Sequence, residues 1–401
     1  MNTQFTGERG LLRLADLSLG DLAANGRAIS AGKSQPRRLD VVTWLLPPVT
    51  HALKGGVRTV FTLAERYSIE FGTLNYFVIY SHNGREVDTS GLCESLRLNF
   101  PGLRFVVMVY RWGKDCPADI PPSNAAVCTL WTTAYLLAKY NSTQAKYYLV
   151  QDFEPNFYPA GALYGVIEQT YRLGFSCIAN TEGVASYCRR YTDDVVHFVP
   201  GVDRALFRPD LLRLDPSSPK RIVLYGRPSN ARNCFALVCE IVTRVKKRLG
   251  DGVVIQSVGE AWDPNAYGLG GVVDNLGLLG SMDEVAALYR SSDLGMVFMM
   301  TPHPSYQPLE YMASGCVVAT NINAANSWLI RDDNALVLEP VPAIAAERIH
   351  ALLADHGAWR SLRDAGLKTV AALNWDEAFK VVRERMLGYY VSSPVKQTLQ
   401  K

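Results

Sequence analysis

The sequence predicts an α/β protein built from two doubly wound, Rossmann-like domains that face each other across a cleft. Three observations lead to this fold class. The chain has 401 residues, whereas an ordinary domain holds roughly 100–200 residues. Short apolar runs without polar alternation recur along both halves, which is typical of strands buried on both faces of a parallel sheet. Segments with helical spacing separate these runs, so strand and helix alternate in each half.

The composition is that of a folded protein without a nucleic-acid partner. Hydrophobic residues make up 48% of the chain, which is enough to fill two cores. The formal net charge of +3 is too small for a nucleic-acid-binding surface. No apolar stretch approaches the roughly 18–20 residues needed to span a bilayer, and the N-terminus lacks the apolar core of a signal peptide. We expect a cytoplasmic protein and leave attachment to the inner face of the cytoplasmic membrane open.

The first half carries the first domain. Residues 1–36 are polar and interrupted by glycines, which predicts an N-terminal arm or a short helix. The first domain is expected over residues 37–205. Its strands are predicted near residues 39–48, 76–80, 105–110, 147–150, 176–178 and 195–199. Its helices are predicted over residues 55–69, 124–140 and 160–173.

The second half repeats the pattern. A polar segment rich in proline and serine, residues 206–218, predicts a linker. The second domain is expected over residues 219–373. Its strands and helices are predicted near residues 221–225, 235–249, 253–258, 282–290, 294–299, 307–314 and 316–320. The tail, residues 374–401, is either a plain C-terminal helix or a helix that packs back on the first domain.

Candidate sites lie in the loops that follow the strands, because ligands bind beyond the carboxyl ends of strands in open α/β sheets. The first loop holds Gly55 and Gly56, followed by Arg58. Glycines let a ligand approach the backbone closely, and the following helix N-terminus favours an anion. The alternative is a tight turn that only starts a helix.

The loop after residues 221–225 contains Tyr225, Gly226, Arg227 and Arg232. Two arginines that flank a turn can converge on one pyrophosphate, since guanidinium groups suit the charge that develops on a departing nucleoside diphosphate. The alternative is a pair of solvated surface cations.

A third loop, residues 301–306, contains two prolines and precedes a helix that carries a third, Pro308. We expect a rigid loop that leaves the amides of Ser305, Tyr306 and Gln307 free at the helix N-terminus. Glu310 would accept hydrogen bonds from sugar hydroxyls. Alternatively, this carboxylate only complements the helix dipole.

The fourth loop contains Gln151, Asp152 and Glu154 at the end of a strand. The two carboxylates could hold a divalent cation. We favour a loop that positions donor or acceptor hydroxyls, because both halves are complete α/β domains. The eight cysteines include no Cys-x-x-Cys pair, which indicates reduced thiols rather than a metal site.

These motifs resemble those of a known family. The pair Gly226-Arg227 with Arg232, and the segment PLEYMASG at residues 308–315, resemble glycosyltransferase family 4. In that family the helix glutamate that corresponds to Glu310 binds the ribose, and a second glutamate usually stands eight residues before it. Here that position is Pro302, which points to a subgroup. The segments GGVRT (55–59), QDFEPNFYP (151–159) and HPSYQPLE (303–310) are similar to WsaF-type rhamnosyltransferases.

The resemblance implies a GT-B fold and a retaining transfer of L-rhamnose from dTDP-L-rhamnose to a bacterial surface polysaccharide, an O-antigen or S-layer-type glycan. It implies no metal and no cofactor beyond the nucleotide-sugar substrate. Within that framework we assign catalytic roles to Arg227, Arg232 and Asp152. Gln151, Glu154 and Arg58 would contact the acceptor or the sugar. The donor-binding set is Gly55, Gly56, Tyr225, Gly226, Ser305, Tyr306, Gln307 and Glu310.

Other functions stay open. The donor could be a UDP- or GDP-sugar, and the acceptor a lipid-linked or free oligosaccharide. A non-catalytic nucleotide- or glycan-binding homologue and a sugar-nucleotide epimerase are further alternatives, and the chain could be a monomer or a homodimer. A nicotinamide dehydrogenase is disfavoured, because the clustered glycines at 268, 270 and 271 follow a proline-containing loop and do not open a helix.

Overall fold

The computed structural model describes residues 3–32, 38–53, 55–210, 212–213 and 215–388. The chain divides into two compact units. The first comprises Met1–Asn180, Ala185–Phe198 and Glu377–Lys401, and the second comprises Thr181–Val184 and Val199–Asp376. Parts of the predicted arm (residues 1–2 and 33–36) and of the predicted tail (389–401) lie outside the described residues.

The first unit is built on a parallel sheet of strands with helices between them. The strands are β1 (Val41–Leu46), β2 (Leu74–Ser81), β3 (Phe105–Arg111), β4 (Ala125–Cys128), β5 (Lys146–Val150), β6 (Ser176–Asn180) and β7 (Val195–Phe198). The helices are α1 (Thr3–Leu12), α2 (Leu19–Gly32), α3 (Gly55–Phe71), α4 (Ser90–Asn99), α5 (Trp131–Lys139), α6 (Ala162–Gln169) and α7 (Glu182–Cys188), the last at the division between the units. The strand order is β3-β2-β1-β4-β5-β6-β7, so the chain is wound in both directions from β1.

The second unit repeats this arrangement. Its strands are β8 (Lys220–Tyr225), β9 (Val253–Val258), β10 (Asp274–Asn275), β11 (Leu294–Met296), β12 (Val317–Thr320) and β13 (Leu336–Val337). Its helices are α8 (Phe235–Leu249), α9 (Met282–Ser291), α10 (Gln307–Ala313), α11 (Pro342–Ala354) and α12 (His356–Val370). The order β10-β9-β8-β11-β12-β13 is again parallel and doubly wound. The prediction of two Rossmann-like domains is confirmed.

One predicted element is wrong. The sequence predicts a helix over residues 124–140, but Ala125–Cys128 is strand β4, paired with β1 and β5, and the helix begins only at Trp131. All four residues of β4 are buried. A run of four small apolar residues has no periodicity that separates a buried strand from the first turn of a buried helix.

The polar segment that predicts a linker is attached to the second unit. The Arg213 guanidinium pairs with the buried carboxylate of Asp293, and the amide and hydroxyl of Ser217 donate to the same carboxylate at 2.8 and 2.5 Å. Leu211 and Leu214 of this segment lie outside the described residues. These contacts hold the segment against the start of β11, and the division between the units falls earlier, at Val199.

The C-terminal helix α13 (Trp375–Leu387) packs on the first unit. Phe379 contacts Tyr67 of α3 edge to face, with ring centroids 4.9 Å apart. The Tyr147 hydroxyl donates to the Met386 carbonyl at 3.2 Å. These contacts fix the end of the described chain to the first sheet and its helix α3.

The N-terminal helices are also held by specific contacts in the first unit. Lys146, at the start of β5, donates from Nζ to the side-chain oxygens of Asn25 and Asn141 at 2.9 and 2.8 Å and to the Leu137 carbonyl at 2.9 Å. The Asn25 amide in turn donates to the Leu173 carbonyl at 2.9 Å. Three oxygen acceptors match the three N–H donors of an ammonium group, so helix α2 is anchored through Asn25.

We expect Asn25→Ala to lower the free energy of unfolding by about 2–3 kcal/mol, because the buried amino group of Lys146 loses one of its hydrogen-bond acceptors. Hydrogen exchange in α2 should rise in parallel. Asp16→Ala is the matched control: it removes the more exposed ion pair with Lys139, which should cost less than about 1 kcal/mol. Equal stability of the Asn25 variant and wild type would contradict the anchoring role.

Candidate functional site

The predicted loops of the second unit follow neighbouring strands. Strand β8 pairs with both β9 and β11, and the direction of winding reverses between β8 and β11. Ligands in doubly wound sheets bind at this reversal, beyond the carboxyl ends of the strands. Residues 226–233 follow β8, and residues 297–306 follow β11. The two loops therefore meet where this fold binds ligands.

The loop after β8 begins with a close backbone packing. The Gly226 amide donates to the Val258 carbonyl at 2.9 Å, and a Cβ at position 226 would collide with the hydroxyl of Ser257. Arg227 follows, with its guanidinium carbon 5.8 Å from the centroid of the Tyr225 ring. The aromatic face therefore supports the guanidinium at the turn.

We expect Gly226→Ala to destabilise the second unit by about 1–3 kcal/mol through overpacking. The Ser257 hydroxyl would lie 2.2 Å from the added Cβ, whereas the next atom, Trp262 Nε1, would lie at 3.4 Å, so Gly226→Ala/Ser257→Ala should recover most of the loss. Urea unfolding of both single variants and the double variant measures this. A double variant no more stable than Gly226→Ala would show that the collision is not the cause.

Arg232 links the two loops. It lies in the 3₁₀ turn Ala231–Asn233 before α8, and its carbonyl accepts from the Met300 amide at 3.1 Å. The side-chain amide of Asn233 donates to the Phe298 carbonyl at 3.3 Å. The backbone after β8 is thus hydrogen-bonded to the backbone after β11.

His303 lies in the loop after β11, half-buried, and sequence reasoning gave it no role of its own. Its Nδ1 accepts from the Ser305 amide at 2.9 Å. Desolvation, together with the positive charges of Arg232 and Arg227, lowers the pKa of His303 to about 3. Both guanidinium charges therefore act on one imidazole, which brings the arginines and the proline-rich loop into one site. In the sequence, the feature that could have pointed to His303 is its position between Pro302 and Pro304.

The expectation of a free amide at Ser305 is wrong, because this amide donates to His303. Ser305 has a φ of 50°, a left-handed backbone that is uncommon for residues other than glycine. Its hydroxyl is hydrogen-bonded to the side chain of Gln307, the first residue of α10. Tyr306 packs edge to face on Trp375, with ring centroids 6.0 Å apart.

Glu310 lies near the start of α10 and is 7% exposed. Burial and then neighbouring charges, Glu310 among them, raise the pKa of Tyr289 and Tyr311. These two tyrosine rings pack edge to face, with their centroids 4.5 Å apart. Glu310 therefore lies close to this tyrosine pair, which belongs to the hydrophobic core of the second unit.

The loop that follows β12 supports the loop after β11. The Asn321 side chain accepts from the Met299 amide at 2.9 Å and donates to the Met299 carbonyl at 2.8 Å, as a neighbouring strand would. The Asn323 side chain donates to the His303 carbonyl at 3.3 Å. Two uncharged amides therefore fix the backbone that carries His303.

In the first unit, two predicted loops come together. The Gln151 side-chain amide donates to the Gly56 carbonyl at 2.9 Å, and a Cβ at position 56 would lie 2.8 Å from the Gln151 nitrogen. Gly55 and Gly56 start α3, which also carries the half-buried Arg58. Glycine at 56 therefore makes room for the side chain that follows β5.

The carboxylate of Glu154 is engaged within the protein. It is buried, and it accepts from the Trp131 amide at 2.7 Å and from the Tyr148 hydroxyl at 3.1 Å. Trp131 is the first residue of α5, so Glu154 caps this helix. These contacts favour a structural role for Glu154 over the sugar-binding role that the sequence predicts.

Asp152 is also buried, and its Oδ1 accepts from the Phe153 amide at 2.8 Å. Within the described part of the chain, no cluster of three His, Cys, Asp or Glu side chains is arranged to hold a metal ion. The metal alternative for Asp152 and Glu154 thus gains no third ligand among those residues. That the reaction needs no metal stays a prediction.

Solved structures share this architecture. Sucrose-phosphate synthase from Thermosynechococcus elongatus is 14% identical with a TM-score of 0.65, over 86% of this chain and 98% of that one. HepE from Anabaena, in complex with UDP and glucose, is 13% identical with a TM-score of 0.66, over 87% and 99%. A glycosyltransferase from Rickettsia africae is 14% identical with a TM-score of 0.63, over 88% and 99%. At these identities the likeness shows the fold alone, and it is the GT-B fold of glycosyltransferases that the sequence predicts.

Matches of the sequence point to a more specific group of proteins than the fold does. Residues 220–350 match the model of the family described as the C-terminal domain of WsaF, which confirms the predicted resemblance for that part of the second unit. The O-antigen biosynthesis protein RfbC of Myxococcus xanthus is 35% identical over 354 residues, or 88% of this chain. The chain spans 27% of the length of that relative. Membership of glycosyltransferase family 4 stays a prediction.

Among the described residues, no helix combines the length and the apolarity that a membrane span requires.

Proposed function

We propose that this protein is a retaining glycosyltransferase that moves L-rhamnose from dTDP-L-rhamnose onto a bacterial surface polysaccharide, an O-antigen or S-layer-type glycan. The observation that carries the proposal is that the arginine loop and the proline-rich loop are joined at the reversal of the second sheet, where the Arg232 carbonyl accepts from the Met300 amide at 3.1 Å. The named role of the Myxococcus relative and the UDP held by HepE support a nucleotide-sugar donor and a polysaccharide product.

The two arginines suit the donor diphosphate. Two positive charges close to one another repel each other, and an anion between them offsets this repulsion. Guanidinium groups bind phosphate oxygens through paired N–H donors. Gly226 lets the turn that carries Arg227 pack closely on Ser257, because a Cβ at this position would collide with the Ser257 hydroxyl. In the reaction, Arg227 and Arg232 stabilise the charge that grows on the departing nucleoside diphosphate.

The rest of the second unit orients the nucleoside and the sugar. Glu310 accepts hydrogen bonds from the ribose hydroxyls, while Tyr225 and the segment Ser305–Gln307 line the diphosphate. In the first unit, Asp152, Gln151 and Arg58 contact the acceptor or the transferred sugar, beside Gly55-Gly56. Glu154 holds the loop that carries Asp152 through its bonds to Trp131 and Tyr148.

The transfer takes place on one face of the sugar. The bond from the anomeric carbon to the diphosphate oxygen breaks, and a bond from the same carbon to the acceptor oxygen forms on the same side. The acceptor hydroxyl passes its proton to the departing diphosphate, so atoms and charge balance. This chain's contribution is positive charge at the leaving group, supplied by guanidinium groups in place of a metal ion.

A second candidate is a nucleotide- or glycan-binding protein without transferase activity. It is favoured by Pro302, at the position where the resembled family usually carries a glutamate. A UDP- or GDP-sugar donor is the alternative within the transferase proposal, since UDP is the nucleotide found in HepE.

A thermal-shift panel tests these proposals. Wild type, Glu310→Ala and the control Glu347→Ala, an exposed residue of α11, are melted with dTDP, UDP, GDP and ADP and with their sugar conjugates, with and without EDTA. We expect dTDP and dTDP-rhamnose to stabilise wild type and the control but not Glu310→Ala, and EDTA to change nothing. A shift that needs a divalent metal, or no shift with any nucleotide, would overturn the proposal.

Turnover separates the transferase from the binding protein. Purified lipid-linked or oligosaccharide acceptors are incubated with dTDP-rhamnose, and released dTDP is measured by chromatography. Acceptor-dependent release supports transfer, and the anomeric configuration of the product, read by NMR, tests retention. Binding without release across the acceptors would favour the second candidate.

A further inference from the structure

The imidazole of His303 is held in one tautomer by the backbone. The Ser305 N–H can only donate, and it donates to Nδ1 at 2.9 Å. Nδ1 is therefore an acceptor without a proton, and the proton of the neutral ring lies on Nε2. The N–H at Nε2 is the hydrogen-bonding group that this tautomer leaves for a further partner.

The loop around His303 holds the ring in place. The His303 amide donates to the Thr301 carbonyl at 2.7 Å, and the His303 carbonyl accepts from the Asn323 side chain at 3.3 Å. Pro302 and Pro304 restrict the backbone on both sides. The left-handed backbone of Ser305 turns its amide onto Nδ1. Strain of this kind is retained where the surrounding structure requires one geometry.

The charges that act on this ring come from the segment after β8. Arg232 and Arg227 both disfavour the imidazolium, and desolvation adds to them, so that the pKa of His303 is lowered to about 3. The loop after β12 contributes uncharged amides here: Asn323 donates to the His303 carbonyl, and Asn321 pairs with the backbone of Met299. The ring is therefore neutral across the physiological range of pH.

We propose that His303 is a catalytic residue of the transferase, which donates a hydrogen bond from Nε2 to a diphosphate oxygen of the sugar nucleotide while it stays neutral. This inference rests on the proposed function, since it requires a diphosphate between Arg227 and Arg232. The neutral imidazole adds a third hydrogen-bonding group to that anion without adding a third positive charge beside the two guanidinium groups. A hydrogen-bond donor that is fixed before the reaction needs no reorganisation as negative charge develops on the diphosphate.

Two substitutions separate the nitrogens of the ring. The side-chain oxygen of His303→Asn can replace Nδ1 as acceptor of the Ser305 amide, but no donor reaches the place of Nε2. His303→Gln carries an amide at the distance of Nε2 and loses the proximal acceptor. We expect His303→Asn to lower kcat/KM for the donor by about 10²–10³-fold, as for one oxyanion donor, and His303→Gln to stay within about tenfold of wild type. His350→Gln, on α11, is the control for changing a histidine elsewhere in the second unit.

The tautomer is measured without the reaction. The six histidines are labelled with ¹⁵N, and the His303 resonances are identified by their loss in His303→Gln. We expect the shifts of a ring protonated at Nε2 only, unchanged between pH 5 and 8, and a change at Nε2 when dTDP is added. A ring protonated at Nδ1, or one that titrates in this range, would overturn the proposal even if the variants fold poorly.

The two proposals fail in different ways. If wild type binds no nucleoside diphosphate, both the proposed function and this inference are wrong. If wild type binds and turns over the donor while His303→Asn and His303→Gln have equal kcat/KM, the transferase stands and the role of His303 is wrong.

Discussion

Arg227→Ala is expected to lower turnover by about 10²–10³-fold, which corresponds to roughly 2.7–4 kcal/mol of lost transition-state stabilisation. The guanidinium, supported on the Tyr225 ring, meets charge that grows on the leaving diphosphate, so the loss should fall on kcat as well as on donor affinity. Arg227→Lys should recover part of the rate, because it restores the charge without the paired N–H donors. Steady-state rates of dTDP release give these values.

The matched control is Arg244→Ala, on the exposed face of α8, where the arginine pairs with Glu240. It should leave kcat unchanged. Arg227→Ala/Arg232→Ala should lose less than the sum of the single losses if both arginines serve one diphosphate, because groups that act as a unit are not additive. Near-normal turnover of Arg227→Ala would remove this residue from the mechanism.

Asp293→Ala should give the largest loss of stability, about 3–5 kcal/mol in the free energy of unfolding. The carboxylate is fully buried and accepts from the Arg213 guanidinium, from the amide and hydroxyl of Ser217 and from the Arg221 amide at 2.6 Å. Alanine leaves these donors without their acceptor, one of them charged. Guanidinium chloride unfolding, followed by fluorescence, measures the change.

The double variant Asp293→Ala/Arg213→Met should recover part of this loss, because it also removes the guanidinium that would otherwise remain unpaired. Glu240→Ala breaks an exposed ion pair and should cost less than about 1 kcal/mol. A loss no greater than that of Glu240→Ala would show that Asp293 does not hold segment 206–218.

The sequence predicted the two sheets and the loops at their reversal because both depend on local patterns. Apolar runs such as 221–225 mark buried strands, and Gly226 with Arg227 stands directly after one of them. The strands β10 and β13, of two residues each, are too short to show any period. They form through pairing with longer neighbours.

The error at β4 also bears on Glu154, whose contact with the acceptor or the sugar stays a prediction. A continuous helix over residues 124–140 has no N-terminus at Trp131, so nothing suggested that Glu154 caps that position. Its carboxylate was therefore assigned to a ligand. Contacts between loops, such as the Ser305 amide on His303, have no signal in periodicity because they depend on how the loop turns in three dimensions.

The hydrogen bonds among the strand-end loops of the second unit have a consequence for discrimination between nucleotides. The Arg232 carbonyl is hydrogen-bonded to the Met300 amide, and the Asn321 side chain is hydrogen-bonded to both the amide and the carbonyl of Met299. Loops tied in this way have little freedom to reshape around a substrate that fits badly. Selectivity for the donor should therefore come from rejection of the wrong nucleotide at first contact, with similar site geometry in the empty and occupied protein. Affinity for the right nucleotide then carries little cost of ordering.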